Sequence, residues 1–113
     1  MSECIFCKIV AGEVPSEKVY EDDHILVFKD IYPKAPFHVI VVPKEHIVSA
    51  ADINESNSLQ IAKCFEAIAE IAKTNGLDNG FRVITNSGPD GSQTVFHLHF
   101  HLVAGRQLGD ILP

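Results

Sequence analysis

The apolar and polar positions of this chain recur with two different periods. Within Val95-Phe96-His97-Leu98-His99-Phe100-His101-Leu102-Val103, apolar and polar residues alternate from Phe96 to Leu102. A strand over Val95 to Val103 would put Phe96, Leu98, Phe100 and Leu102 on one face and His97, His99 and His101 on the other. Four more strands follow from composition and turn signals. Lys18 to Glu21 and His24 to Asp30 are joined at Asp22-Asp23, a turn-type pair. Phe37 to Pro43 is rich in β-branched residues and bounded by prolines, and Phe81 to Thr85 is the remaining strand. Helical spacing appears twice. Ile5 to Ala11 reads as a short helix ended by Gly12 and Pro15, and Asn54 to Asn75 as a long one ended by Gly76.

Strands around one main helix with hairpin-type connections predict an α+β fold, with a five-stranded, mainly antiparallel sheet. There is no internal repeat, low-complexity tract or linker, so residues 1–113 read as one domain. On the long helix, Ile61, Cys64, Phe65, Ile68, Ile71 and Ala72 share a side that Ala62 and Ala69 widen to an arc of roughly 200°. A helix lying on one sheet needs roughly half of that. The excess predicts a second packing surface, and with so short a chain that points to a homodimer.

Composition narrows the class. The chain carries 15 acidic and 9 basic residues, a formal net charge of −6, with 46% apolar content. Nucleic-acid surfaces need clustered Lys and Arg, so no nucleic-acid partner is expected. The apolar content excludes a disordered chain, and no apolar run approaches the roughly 20 residues that span a bilayer. The first residues show no basic segment followed by an apolar one. Three cysteines, an odd number, read as reduced thiols or metal ligands in a cytoplasmic protein.

Candidate chemistry concentrates in the histidine strand. Successive imidazoles on one face would stand about 6.8 Å apart. Mutual repulsion and partial burial both disfavour protonation, so at least one ring is neutral near pH 7, with a lone pair for metal, proton or phosphorus. Just upstream, Asn86-Ser87-Gly88-Pro89-Asp90-Gly91-Ser92-Gln93-Thr94 forms a tight loop of amide and hydroxyl donors with no Lys or Arg. Such a loop suits a single phosphoryl group better than a polyphosphate, which calls for cationic clamps or a metal.

The run His97-Leu98-His99-Phe100-His101-Leu102-Val103 resembles the His-φ-His-φ-His-φ-φ signature of the histidine triad (HIT) family. The likeness extends to Ile5-Phe6-Cys7-Lys8-Ile9, Tyr20-Glu21-Asp22-Asp23, Phe28-Lys29-Asp30-Ile31, the run from His38 to His46 and Ala104-Gly105-Arg106-Gln107. The glycine-containing loop and the Gly-Arg-Gln ending are most similar to the nucleoside-phosphoramidate hydrolase (Hint) branch.

That resemblance implies a homodimer whose two five-stranded sheets join into one. It also implies a hydrolase that cleaves the P–N bond of purine nucleoside 5′-phosphoramidates through a covalent nucleotidyl-histidine, releasing AMP or GMP without a catalytic cofactor. By similarity, His99 is the nucleophile, His101 contacts the phosphate and His38 helps orient the nucleophile, with His97 as the first member of the row. Asn86, Ser92, Gln93 and Thr94 would hold the phosphate and leaving-group side. Asp30 would accept from the ribose hydroxyls, although its position before Pro33 also fits an ordinary turn carboxylate. Ile5, Phe6, Ile9, Phe28 and Ile31 would form the slot for the base, or simply core.

Cys4-Ile5-Phe6-Cys7 is half of a tetrahedral zinc site. His46 and His97 would complete a Cys2His2 set, which resembles the structural zinc of many bacterial members; two reduced thiols are the other reading. Thr94 stands where serine is common, and the tail from Leu108 to Pro113 lacks the aromatic-proline ending of the animal proteins. Two other functions fit the same residues: a nucleotide- or zinc-binding interaction module with negligible catalysis, and a dinucleoside polyphosphate hydrolase.

Overall fold

The computed structural model describes residues 3–110; Met1, Ser2 and the last three residues of the tail, Ile111 to Pro113, lie outside it. The element order is α1 (Ile5–Val10), β1 (Lys18–Glu21), β2 (Ile25–Lys29), β3 (Phe37–Pro43), a short 3-10 turn (Ala50–Asp52), α2 (Ser58–Thr74), β4 (Phe81–Ile84) and β5 (Phe100–Ala104). The strands form one five-stranded sheet in the order β1-β2-β3-β5-β4, with every neighbouring pair antiparallel. The architecture is the expected α+β arrangement.

Local chemistry explains the boundaries. The Asp22 carboxylate accepts from the backbone N–H groups of His24 and Ile25, closing the turn between β1 and β2. Helix α2 ends on Gly76, whose φ of 67° allows the Leu77 N–H to reach the Ala72 carbonyl and the Gly76 N–H that of Lys73. Its start lies later than expected, at Ser58, because Asn54 and Asn57 are committed to the preceding turn. The Asn54 N–H donates to Asn57 Oδ1, while the Asn57 side-chain amide donates to the Asp52 carbonyl.

The histidine strand is shorter than the sequence pattern suggests. Regular pairing begins at Phe100 rather than Val95, and the last β3–β5 pair is Val41 with Phe100. Pro43 ends β3 and has no N–H to give the ladder. Beyond it, the Leu98 N–H turns to the Ile47 carbonyl instead. The alternation of faces nevertheless persists through residues 97–102. Leu98, Phe100 and Leu102 pack with Ile25, Val39 and Val41 and with Cys64, Ile68 and Ile71 of α2. Phe96 does not join them; it is 57% exposed, since the chain has left the sheet at that point.

The opposite face carries a second core of Phe6, Ile9, Leu26, Phe28, Ile40 and Val42, with α1 laid across it. On α2 the buried stripe is Cys64, Ala67, Ile68, Ile71 and Ala72, whereas Leu59, Ala62, Phe65 and Ala69 remain exposed.

Gly105, which ends β5, has a φ of +104°, and a Cβ there would stand 2.8 Å from the Pro36 ring. Gly105→Ala should therefore destabilise the fold by about 1–3 kcal/mol, the cost of one strained backbone position. Urea denaturation should show a lower midpoint with an unchanged slope.

Candidate active site and metal centre

The antiparallel register sets Ile40 opposite His101 and His38 opposite Val103. Opposed residues share a face, so both histidines stand on the α1 side of the sheet. His99 and His97 continue the row on the same side, and the Phe6 ring contacts both, edge-on at 4.9 Å to His99 and 6.0 Å to His97.

Hydrogen bonds assign the tautomers. His99 Nδ1 lies 2.7 Å from the His97 carbonyl oxygen, to which it must donate. The lone pair of the neutral ring is then on Nε2, and no hydrogen-bond partner lies there among the described residues. His97 Nε2 donates to the Pro43 carbonyl at 2.8 Å, which leaves a lone pair on its Nδ1. His38 has the reverse arrangement. The Lys34 N–H donates to His38 Nδ1 at 3.0 Å, so the ring proton sits on Nε2. That nitrogen is 2.9 Å from His101 Nδ1 and 3.2 Å from Asp30 Oδ2.

Burial keeps these rings neutral. It pushes His97 down to about 4, helped by His46 and His99 and partly opposed by the Pro43 hydrogen bond. His101 is also pushed down to about 4, by burial and then by His99 and His38, against the attraction of Asp30. His99 and His38 are lowered for the same leading reason. His99 retains 7% of its surface exposed, so the ring is largely covered.

At the other end of the row, His97 Nδ1 lies 3.4 Å from Cys4 Sγ, 3.5 Å from Cys7 Sγ and 3.2 Å from His46 Nδ1. Cys7 Sγ and His46 Nδ1 are 3.2 Å apart. Bond lengths to a tetrahedral zinc require about 3.3 Å between two nitrogens and about 3.5 Å between nitrogen and sulfur. The four donors therefore fit a Cys2His2 ion, and His97 has the backbone-oriented ring typical of such ligands. The Pro43 carbonyl that orients it, like the Lys34 N–H on His38, has no sequence signature, because any residue type supplies a backbone group.

The remaining expected residues divide. Asp30 is close to His38, and its Oδ1 accepts the Tyr32 N–H at 2.8 Å, so the turn geometry and the site coexist. Phe6, Ile9 and Phe28 are buried together, whereas Ile31 is 81% and Ile5 41% exposed. Gln93 differs from expectation. Its side-chain amide donates to the Val48 and Val95 carbonyls and its Oε1 accepts the Gly88 N–H, so it braces the loop from within. Ser92, with φ of 61°, and Thr94 are exposed and Asn86 half-buried, and none makes a described hydrogen bond to the imidazoles. His38 reaches His101 and Asp30, not His99.

The family model described as "Scavenger mRNA decapping enzyme C-term binding" matches residues 3–111. A histidine triad protein from Clostridium difficile superposes with a TM-score of 0.94 at 49% identity, covering 99% of this chain and 98% of that one. The chain belongs to the histidine triad family. A HIT family hydrolase from Clostridium thermocellum superposes with a TM-score of 0.96 at 43% identity, over 100% of this chain and 99% of the other. In sequence, a 14 kDa zinc-binding protein of Brassica juncea is 40% identical over 108 residues, covering 94% of this chain and 96% of its own. These relatives share the HIT fold, and one of them is described as a hydrolase. Among the described residues, no helix is long and apolar enough to cross a membrane.

The covered rings have a consequence for stability. An imidazole in the unfolded chain titrates near 6.5, whereas His101 and His38, faced by Asp30, Lys34 and His99, resist protonation when folded. The unfolded state thus binds more protons in the window between pH 6.5 and about 4. Stability from these rings should be fully present above pH 6.5 and lost as pH falls toward 4. Urea titrations across that range should show the slope, and His101→Gln should reduce it by about one proton; an unchanged slope would contradict the assignment.

Proposed function

We propose that this chain hydrolyses the P–N bond of purine nucleoside 5′-phosphoramidates through a nucleotidyl-histidine. The observation that carries the reading is the His99 tautomer: Nδ1–H held by the His97 carbonyl, with the lone pair on Nε2. In the first step Nε2 bonds to the α-phosphorus as the bond to the amine breaks, and the amine leaves with a proton from solvent. The ring then carries a positive charge, which the His97 carbonyl stabilises through Nδ1–H. In the second step water attacks phosphorus and gives a proton back to solvent, the N–P bond breaks with its electron pair returning to Nε2, and the nucleoside monophosphate departs. Covalent catalysis of this kind divides one difficult displacement into two.

His101 contacts the phosphoryl group, backed by His38. Asp30 takes the ribose hydroxyls as acceptor. The base lies against Ile31 and Ile5, beside Phe6, Ile9 and Phe28. Asn86, Ser92 and Thr94 face the phosphate and the leaving amine, while Gln93 holds their loop in shape. The loop's lack of cations favours one phosphoryl group over a polyphosphate chain.

The second part of the reading is a structural zinc held by Cys4, Cys7, His46 and His97, supported by the donor distances and by the zinc-binding relative. Bound there, the ion cross-links the start of α1 to the histidine row without entering the reaction. The third is a homodimer, supported by the exposed stripe of Leu59, Ala62, Phe65 and Ala69 on α2 and by the open edge of β4, where Phe81 is 43% exposed.

Incubation with adenosine 5′-phosphoramidate should release AMP, and His99→Ala should lower turnover by about three orders of magnitude or more. Mass spectrometry after a neutral quench should find AMP linked to the parent protein. Binding of AMP without any adduct or turnover would instead identify a nucleotide-binding module.

Metal analysis of protein purified without added metal should give about one zinc per chain. Cys4→Ser should abolish it and lower the melting temperature, as does removal of a structural ion from other small domains. Full metal retention in that variant would refute the ligand set.

A further inference from the structure

Residues 31–36, between β2 and β3, belong to no helix or strand, and Pro33 and Pro36 have no N–H with which to anchor them. One amide of this stretch nevertheless sets the protons of two imidazoles. The Lys34 N–H donates to His38 Nδ1 at 3.0 Å, so the neutral ring carries its proton on Nε2. That N–H donates to His101 Nδ1 at 2.9 Å, and a neutral His101 must then carry its own proton on Nε2. Among the described residues nothing accepts from His101 Nε2, and the side chain is 22% exposed. The ligand-free protein therefore already presents an N–H donor there.

Lys34 is held in turn from the far end of β5. Arg106 Nη2 donates to the Lys34 carbonyl at 3.1 Å, a charge-assisted bond. Arg106 Nη1 donates to the Gln107 carbonyl at 2.9 Å, which keeps the guanidinium in place. The preceding residue, Gly105, approaches Pro36 so closely that a Cβ would stand 2.8 Å from the proline ring. Apart from His38, Arg106 is the side chain that hydrogen-bonds to Lys34 among the described residues. The contacts close a circuit. β5 carries His101 and leads into Arg106, which holds Lys34, which orients His38, which orients His101.

We propose that Arg106 is a positioning residue that, through Lys34 and His38, fixes His101 as an Nε2–H donor. No bonds other than hydrogen bonds are involved. The inference rests on the phosphoryl occupant proposed above only for what that donor meets; the circuit itself belongs to the free protein. The competing explanation is Asp30, whose Oδ2 lies 3.2 Å from His38 Nε2 and also favours a proton on that nitrogen. Removing the Arg106 guanidinium separates the two, and the side chain is exposed, so its loss should leave the fold intact.

The test uses full-length, ligand-free protein labelled with 15N. Two-bond 1H–15N spectra report the tautomers, with the His101 signals identified by their loss in His101→Gln. The parent should show the Nε2–H pattern at His101. Arg106→Ala should add an Nδ1–H population there and speed exchange of the Lys34 amide about tenfold, the size of one charge-assisted hydrogen bond. Arg106→Lys, which keeps a cationic donor, should return both readings toward the parent. Arg82→Ala removes the chain's other guanidinium, which donates to the Gly109 carbonyl, and should leave both readings as in the parent. With adenosine 5′-phosphoramidate, Arg106→Ala should lose about tenfold in kcat while KM stays within about twofold. An unchanged His101 pattern in Arg106→Ala would show that Asp30 suffices and overturn the inference. An equal change in Arg82→Ala, or a rise in KM with kcat unchanged, would overturn it as well. Failure of the parent to release AMP would remove the proposed reaction but not the coupling, which the spectra of the free protein decide on their own.

Discussion

The antiparallel pairing of β3 with β5 governs the site, because it brings residues 63 positions apart in sequence within one hydrogen bond, as between His38 and His101. It also determines which face of β5 meets α2. Phe100 and Leu102 enter the core on that side, which turns His101, His99 and His97 toward α1. A slip of one residue would exchange the faces and bury the imidazoles in an apolar core. The stability of that core is therefore what holds the chemistry in place.

Where the pairing stops is equally consequential. Pro43 ends the ladder, and its carbonyl, no longer paired with β5, accepts from His97 Nε2. His97 then presents Nδ1 to Cys4, Cys7 and His46 while its own carbonyl holds His99 Nδ1. One residue thus joins two sites, by its ring to the cluster of sulfur and nitrogen donors and by its backbone to the ring with the available lone pair. Loosening either attachment would be felt at the other, since both act on the same peptide unit.

Burial around these rings serves two ends. It excludes water and lowers proton affinity, so the row stays neutral at physiological pH. It also makes each hydrogen bond count, because an unsatisfied buried nitrogen is costly. The backbone groups of Lys34, Pro43 and His97 meet that demand. Gln93 meets a similar one in the loop, which accounts for its inward side chain.

Much of this was legible in the sequence. Alternation through residues 97–102 identified the two faces, helical spacing located α2, and the Cys-x-x-Cys pair with His46 and His97 named the donors that the fold gathers. These features depend on local periodicity and residue type, which the chain carries wherever it folds. The early end of the histidine strand, the exposure of Phe96, the inward turn of Gln93 and the partnership of His38 with His101 were not legible. Each depends on which backbone group arrives opposite it, and backbone groups are alike in every residue except proline. The sequence by itself determined the residue types and faces available for chemistry. Only the tertiary structure decided which nitrogen of each imidazole holds a proton, because that choice is made by partners distant along the chain.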